Sequence, residues 1–365
     1  MSSVGQITDR DPLPLGILAR GPRNDITDVA GVRVGHVTLI HDEPSIARTG
    51  VTAILPTERP YWEANVYAGF HRYNGFGEVC GSHWIKESGL LTSPICTTST
   101  YTVGLVRDAM LAHPYSMLGE HMRFHVPVCA ETNDFFLNDG LQPALTREHV
   151  YEAIASAKSE PVEQGAVGGG VGMMSFGFKS GIGSASRIAE TPSGPFTVGV
   201  LVQSNFGGRH RLTIDGVPVG RFIGPEEVPV PSMSLGGSIV VVIATDAPLI
   251  PTQCERLAQR AVVGLGRLGG YGANTSGDFV LAFSTAHQVP PVPEGPVDAG
   301  RMLPNMHITP IFHAAAEAVE AAVVNSLAFS PTMTGVKGRT IYKMPLDRVR
   351  EILAAHRPSV ELTSR

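Results

Sequence analysis

Cysteine is scarce in this 365-residue chain, with only Cys80, Cys96, Cys129 and Cys254 present. They stand too far apart for a CxxC metal or redox motif and supply no disulfide framework in a chain this long, so free thiols are expected. Long apolar runs are also absent. The longest strongly apolar stretch, Ile239 to Ala244, falls far short of the roughly 18 residues that mark a membrane span. The stretch from Met1 to Asp11 has no apolar signal-peptide core before its charges, so a cytoplasmic protein without membrane association is expected. Charge of one sign is missing as well: 28 Lys and Arg face 33 Asp and Glu, a net of −5 with no block of either. That excludes the concentrated basic face of a nucleic-acid binder. The short cluster Arg209, His210, Arg211 reads as a turn between strands rather than a phosphate contact.

Recognisable cofactor motifs are missing too. The 13 histidines are scattered, and neither HExxH, GxSxG nor a calcium loop occurs. Gly264, Gly266 and Gly269 satisfy GxGxxG, but they close a helical pattern, whereas a dinucleotide turn must follow a strand and open a helix. Gly172 to Lys179 approaches a P-loop, with Phe178 putting the lysine out of register. Neither metal nor organic cofactor is expected.

What the chain does have is glycine and proline, 41 and 28 residues, dispersed among apolar stretches in the manner of many tight turns. Alternation over residues 24–40 predicts a strand pair joined by a turn. Further strands are predicted at 51–56, 90–97, 124–130, 196–204, 211–214, 238–245 and 279–283, with a long irregular crossing over 70–87. Helices are predicted near 103–111 and at 145–158, 252–268, 312–328 and 345–356, and the Ala-rich fourth offers a packing face for assembly. A Gly-dense segment covers 165–183, and the Pro-rich stretch 220–233 reads as an exposed linker or processing loop. Intermixed strands and helices point to a layered α/β or α+β fold.

Gly236-Gly237-Ser238 lies between that Pro-rich stretch and an apolar strand. It has two readings: a bend carrying a small residue into a strand, or a self-cleavage site. In the second, Ser238 attacks the carbonyl of Gly237 and becomes a new amino terminus. Such a residue carries nucleophile and base together, because its α-amine, with an ordinary pKa of about 7.7–8.0, can accept the hydroxyl proton at neutral pH.

Several stretches, taken in order, carry a more specific message: ITDVAGVRVGH (26–36), YNGFGEVCG (73–81), SPICTTSTYTVG (93–104), ETNDFFLND (131–139), GAVGGGVGMMSFGFKSGIGSASR (165–187), VQSNFG (202–207), GGSIVVVIATDAPL (236–249) and NTSGDFVLAFSTAH (274–287). Together they closely resemble the DmpA-type aminopeptidase family, the L-aminopeptidase/D-esterase/amidase and β-peptidyl aminopeptidase group, over nearly the whole chain. The resemblance implies one domain over residues 1–365, an α+β four-layer αββα sandwich similar to N-terminal nucleophile hydrolases but differently connected. It also implies a precursor that cuts itself between Gly237 and Ser238 into fragments 1–237 and 238–365.

Site roles follow by the same resemblance. Ser238 matches the nucleophile, Asn205 the oxyanion donor, Ser276 and Asp278 the hydroxyl and carboxylate beside it, and Glu131 the acid associated with the substrate ammonium group. Three positions depart from the better known members: Asp278 replaces a glutamate, Asn133 a site tyrosine, and Ser99 the asparagine of a TNT pattern. The implied enzyme hydrolyses N-terminal residues from small peptides, amides or esters with a free amino terminus, β- or D-residues included, and assembles as a homo-oligomer, a tetramer in relatives. The alternatives are acyl transfer like that of ornithine acetyltransferases and a noncatalytic scaffold that retained the sandwich.

Overall fold

A computed structural model describes residues 9–118, 125–231, 237–298 and 300–357. The chain begins with β1 (Arg33–His41), β2 (Ala47–Leu55) and β3 (Asn65–Gly75), then β4 (Val79–Cys80), α1 (Ser82–Ser88), β5 (Leu90–Leu91) and β6 (Ile95–Ser99). It continues with α2 (Val103–Leu118), β7 (Val128–Thr132), α3 (Arg147–Ala155), and a small hairpin of β8 (Met174–Ser175) and β9 (Phe178–Lys179). Next come β10 (Ile182–Thr191), β11 (Gly194–Asn205), β12 (Ser238–Thr245), α4 (Pro251–Arg267), β13 (Gly277–Val289) and α5 (Thr309–Ala328). The hairpin β14 (Met333–Thr334) and β15 (Thr340–Ile341) and the helix α6 (Leu346–His356) complete it.

Two sheets form the middle of the molecule, one ordered β1-β2-β6-β7-β4 and the other β10-β11-β12-β13-β3-β5. Between them lies a core of Val34, Ile54, Ile95 and Val128 from the first and Val66, Leu201, Val240 and Leu281 from the second. The outer face of the first sheet, including Val51 and Cys129, packs on Val106 and Met110 of α2 and Val150 and Ile154 of α3. The outer face of the second, including Val200, Val241 and Val280, packs on Leu257 and Leu265 of α4 and Val319 and Val323 of α5. The layers are therefore α, β, β, α. Covered on both faces, β12 is buried at every residue, which is why it reads as a continuous apolar run rather than an alternating one. Its even-numbered side chains Val240, Val242 and Ala244 face the other sheet, while Ile239, Val241 and Ile243 face the helices.

Several elements differ from the sequence expectation, each for a specific physical reason. Residues 24–40 hold one strand, not a pair. Asp25 accepts from the Thr27 amide at 2.8 Å and Asp28 accepts from the Asp25 amide at 3.2 Å, winding Ile26–Asp28 into a 3-10 turn, and β1 pairs with β2 instead. The crossing at 70–87 contains most of the 11-residue strand β3 and the helix α1. Gly69 falls within β3 because α4 crosses there; an added Cβ would stand 2.1 Å from the Glu255 nitrogen. The strand β10 escaped notice because polar residues interrupt its buried stretch: Ser184 accepts from the Ile26 amide at 2.8 Å and donates to the Val200 carbonyl at 2.7 Å. Residues 211–214 are no strand. Arg209–Arg211 form a 3-10 turn, as the cluster's turn reading expects, and Ile214 makes only a bridge to Val217.

The Ala-rich helix α5 is not an assembly surface. It is long and apolar enough to cross a membrane, but it is mostly buried against β10, β11 and α4 as the core helix of the sandwich. Its Glu317 receives the Ile17 and Leu18 amides and pairs with the buried Arg187. Of the two rejected phosphate motifs, the glycine run does close α4, and Lys179 is fully buried, its ammonium donating to backbone carbonyls of Gly170 and Ser180. Within the Pro-rich stretch, Glu226 and Glu227 are exposed, whereas residues 232–236 lie outside the described residues.

Candidate active site

The sheet register brings Ser238, the first residue of β12, opposite Asn205, the last of β11, on the antiparallel side. On the parallel side it lies opposite Gly277, the first residue of β13. Directly opposed antiparallel residues share a face, so Asn205 and Ser238 both point toward the other sheet. The Asn205 amide is fixed at both ends: its Oδ1 accepts from the Met174 amide at 2.9 Å, and its Nδ2 donates to the Asn133 carbonyl at 3.0 Å. One Nδ2 hydrogen is thus committed, and the second is left to serve an oxygen near Ser238.

Gly237 is required by close approach, with no need for a left-handed backbone. A Cβ there would sit 2.6 Å from Phe206 Cα and 2.9 Å from the Asn205 oxygen. Its own carbonyl accepts from the Gly277 amide at 3.2 Å, a hydrogen bond that polarises the bond a Ser238 hydroxyl would attack.

Ser276 and Asp278 bracket Gly277 and by strand alternation lie on the helix-facing side, so they flank the backbone of residue 238 rather than sharing the face of its hydroxyl. Ser276 donates directly to Asp278 Oδ1 at 2.6 Å. The shorter aspartate side chain therefore needs no bridging water to reach the serine. Burial pushes the Asp278 carboxyl up to about 6, against the opposing effect of the Ser276 hydrogen bond. Asn74 pins the loop before them, donating to the Ala273 carbonyl at 2.9 Å and to the Ser276 carbonyl.

Glu131, at the end of β7, belongs to the other sheet. Its Oε1 accepts from the Glu78 amide at 3.0 Å, Thr100 donates to its Oε2, and burial raises its pKa. Gly77 lies between it and β13, the parallel neighbour of the nucleophile strand: a Cβ on Gly77 would lie 2.8 Å from Glu131 Oε1 and 3.4 Å from Gly277 Cα. Gln203 ties the sheets together nearby, donating 2.8 Å bonds to the Thr98 carbonyl and Thr132 Oγ1.

Asn133 contributes through its backbone. Its side chain is turned onto the Phe135 amide at 2.8 Å, while its carbonyl holds Asn205. Ser99 stands apart as support, donating at 2.7 Å to Asp134, whose carboxyl burial raises to about 6. Sequence reasoning missed Asn74, Gly77 and Gln203 as individuals, although YNGFG and VQSNFG contain them.

A cavity of about 380 Å³ opens at these strand ends, lined by Asn133, Asn205, Gly237, Ser276 and Asp278 and walled by Tyr73, Met174 and Tyr271. Its volume lies within the usual range for small-molecule sites. Among the described residues no cluster of three or more His, Cys, Asp or Glu side chains could hold a metal ion.

A buried strand opening on a serine, with an amide donor on one neighbouring strand and a hydroxyl–carboxyl pair on the other, defines the chain as a serine-nucleophile hydrolase. The family model for peptidase family S58 matches residues 24–341, and the chain belongs to that family. The beta-peptidyl aminopeptidase BapA of Sphingosinicella microcystinivorans is 43% identical over 355 residues, covering 92% of this chain and 89% of that protein. A solved Burkholderia sp. beta-aminopeptidase superposes with a TM-score of 0.88 at 43% identity, covering 93% of this chain and 96% of the other. The L-aminopeptidase D-Ala-esterase/amidase of Ochrobactrum anthropi, described as a prototype for the serine aminopeptidases and a new variant of the Ntn hydrolase fold, gives a TM-score of 0.88 at 40% identity, covering 94% and 96%. The fold is thus a mixed α/β sandwich of Ntn-hydrolase type with a distinct strand order, and the protein is an autoprocessed serine aminopeptidase/amidase.

Proposed function

We propose that the chain cuts itself between Gly237 and Ser238 and then removes N-terminal residues, β-residues among them, from small peptides, amides and esters. The observation that carries this is the convergence of Gly237, Asn205, Ser276 and Asp278 on one cavity at the head of β12.

In the precursor, Ser238 Oγ bonds to the Gly237 carbonyl carbon while the C–N bond to Ser238 breaks. The hydroxyl proton passes to that nitrogen, leaving an ester. Water then cleaves the ester, releasing the Gly237 carboxylate and restoring the hydroxyl. The freed α-amine becomes the base for the second reaction. It takes the Ser238 hydroxyl proton as Oγ attacks the substrate carbonyl, passes it to the leaving amine, and water releases the acyl group. Asn205 Nδ2 stabilises the oxyanion. Ser276 and Asp278 orient the α-amine and stabilise its protonated form.

Glu131 receives the substrate ammonium group, which gives the preference for a free amino terminus. The family resemblance supports a homotetramer of processed protomers, and four unpaired cysteines accord with a reducing, cytoplasmic setting. Denaturing intact-mass analysis tests the first step. Fragments of about 25 and 14 kDa are expected from the 38.7 kDa chain, in proportion to 237 and 128 residues. A soluble, folded sample that stays at 38.7 kDa on prolonged incubation refutes it.

A further inference from the structure

The turn Arg209–Arg211, which self-cleavage and hydrolysis leave unused, forms part of the cavity wall. Arg209 is its anchor. The guanidinium is buried, lies 3.5 Å from the Phe178 ring centroid, and donates to the carbonyls of Phe176, Gly177, Ile223 and Val228 at 2.8–3.3 Å. So rigid a base fixes the direction of the next two side chains. His210 and Arg211 are exposed and line the cavity opening, and the Arg211 guanidinium lies 4.2 Å from the Tyr271 ring centroid. A guanidinium resting on a ring keeps its N–H edge free for a planar acceptor. Among the described residues no carboxylate pairs with it. The charged side chains lining the cavity are Arg211 at the mouth and the buried Asp278 inside, with Glu131 beyond Gly77.

We infer that Arg211 binds the free C-terminal carboxylate of the leaving residue, so that the preferred substrates are very short peptides with both ends unblocked. This rests on the aminopeptidase reading above. With the substrate ammonium at Glu131 and its carbonyl at Ser238, the leaving residue projects into the cavity toward Tyr271 and Arg211. A carboxylate there meets a bidentate donor, whereas a C-terminal amide offers only a neutral acceptor.

The test uses the processed enzyme and a matched pair of dipeptides, β-alanyl-leucine as the free acid and as its C-terminal amide, with β-alanine p-nitroanilide as an independent substrate. The wild type should favour the acid in kcat/KM by about tenfold, and added salt should shrink that preference because Arg211 is exposed. Arg211→Gln should bring the ratio near one, and Arg211→Lys should restore part of it; taking the ratio within each variant cancels any loss common to both dipeptides. Turnover of the p-nitroanilide together with a wild-type ratio near one, or an unchanged ratio in R211Q, overturns the role of Arg211 alone. Failure on all three substrates overturns the aminopeptidase reading, and this inference with it.

Discussion

Asp278 offers a quantitative test, because burial, outweighing the Ser276 hydrogen bond, raises its proton affinity. The uncut Ser238→Ala chain is the right background, since it keeps a nearby α-ammonium from forming. Holding the carboxyl at about 6 rather than its ordinary 3.8 costs the ionised folded form about 3 kcal/mol at pH 8. Asparagine removes that cost and keeps an acceptor for Ser276, so S238A/D278N should be more stable than S238A by about 3 kcal/mol at pH 8. The sign follows from linkage. A carboxyl whose folded pKa is raised penalises folding fully above about 6, and the penalty fades as pH falls toward 3.8. At pH 4.5 the gap should be about 1 kcal/mol. Urea titration at the two pH values reads this as a midpoint difference of about 1 M at pH 8, closing by two thirds at pH 4.5. A gap independent of pH would show that the folded carboxyl keeps its ordinary proton affinity, and a double variant less stable at pH 8 would show that the ionised form is stabilised by folding; either result refutes desolvation as the controlling effect.

Asn205→Ala should lower amide turnover by about 10² to 10³ by removing the oxyanion donor, and near-normal turnover would remove that assignment. Glu131→Gln should weaken use of free alanine p-nitroanilide relative to its N-acetylated form yet leave self-cleavage intact, because the Gly237 carbonyl belongs to a chain with no free amine to recognise. Equal use of both substrates by the wild type, or unchanged discrimination in E131Q, would make Glu131 structural. Light scattering should report a homo-oligomer, with particles four times the 38.7 kDa chain mass; monomer mass across a broad concentration range refutes assembly.

Much of the scaffold was legible locally. The apolar run at 238–245 and the periodic pattern at 252–268 became β12 and α4 with bounds within a residue, because a doubly covered strand and an amphipathic helix each leave a distinct pattern. The strands β3 and β10 were not legible as such. Gly69 and the polar Ser184, Ser186 and Arg187 disguise them, and only the neighbours that crowd or satisfy those residues explain the choice.

By itself the sequence determined the layered class, the break between a Pro-rich stretch and a buried strand at Gly237-Ser238, and, through ordered motifs, the set of residues worth testing. Those are properties of neighbours along the chain. Tertiary structure decided how the set works. Register placed Asn205 beside Ser238 and put Ser276 and Asp278 across the strand from its hydroxyl. It also turned Asn133 into a backbone acceptor and made Gly77 the close contact between Glu131 and Gly277. The helix whose Ala-rich pattern offered a packing face for assembly is buried against β10, β11 and α4 within the chain, and a short basic turn became the rim of the cavity. Such outcomes depend on which strands pair and which faces stack, and contacts between residues tens to hundreds of positions apart are not encoded in local pattern.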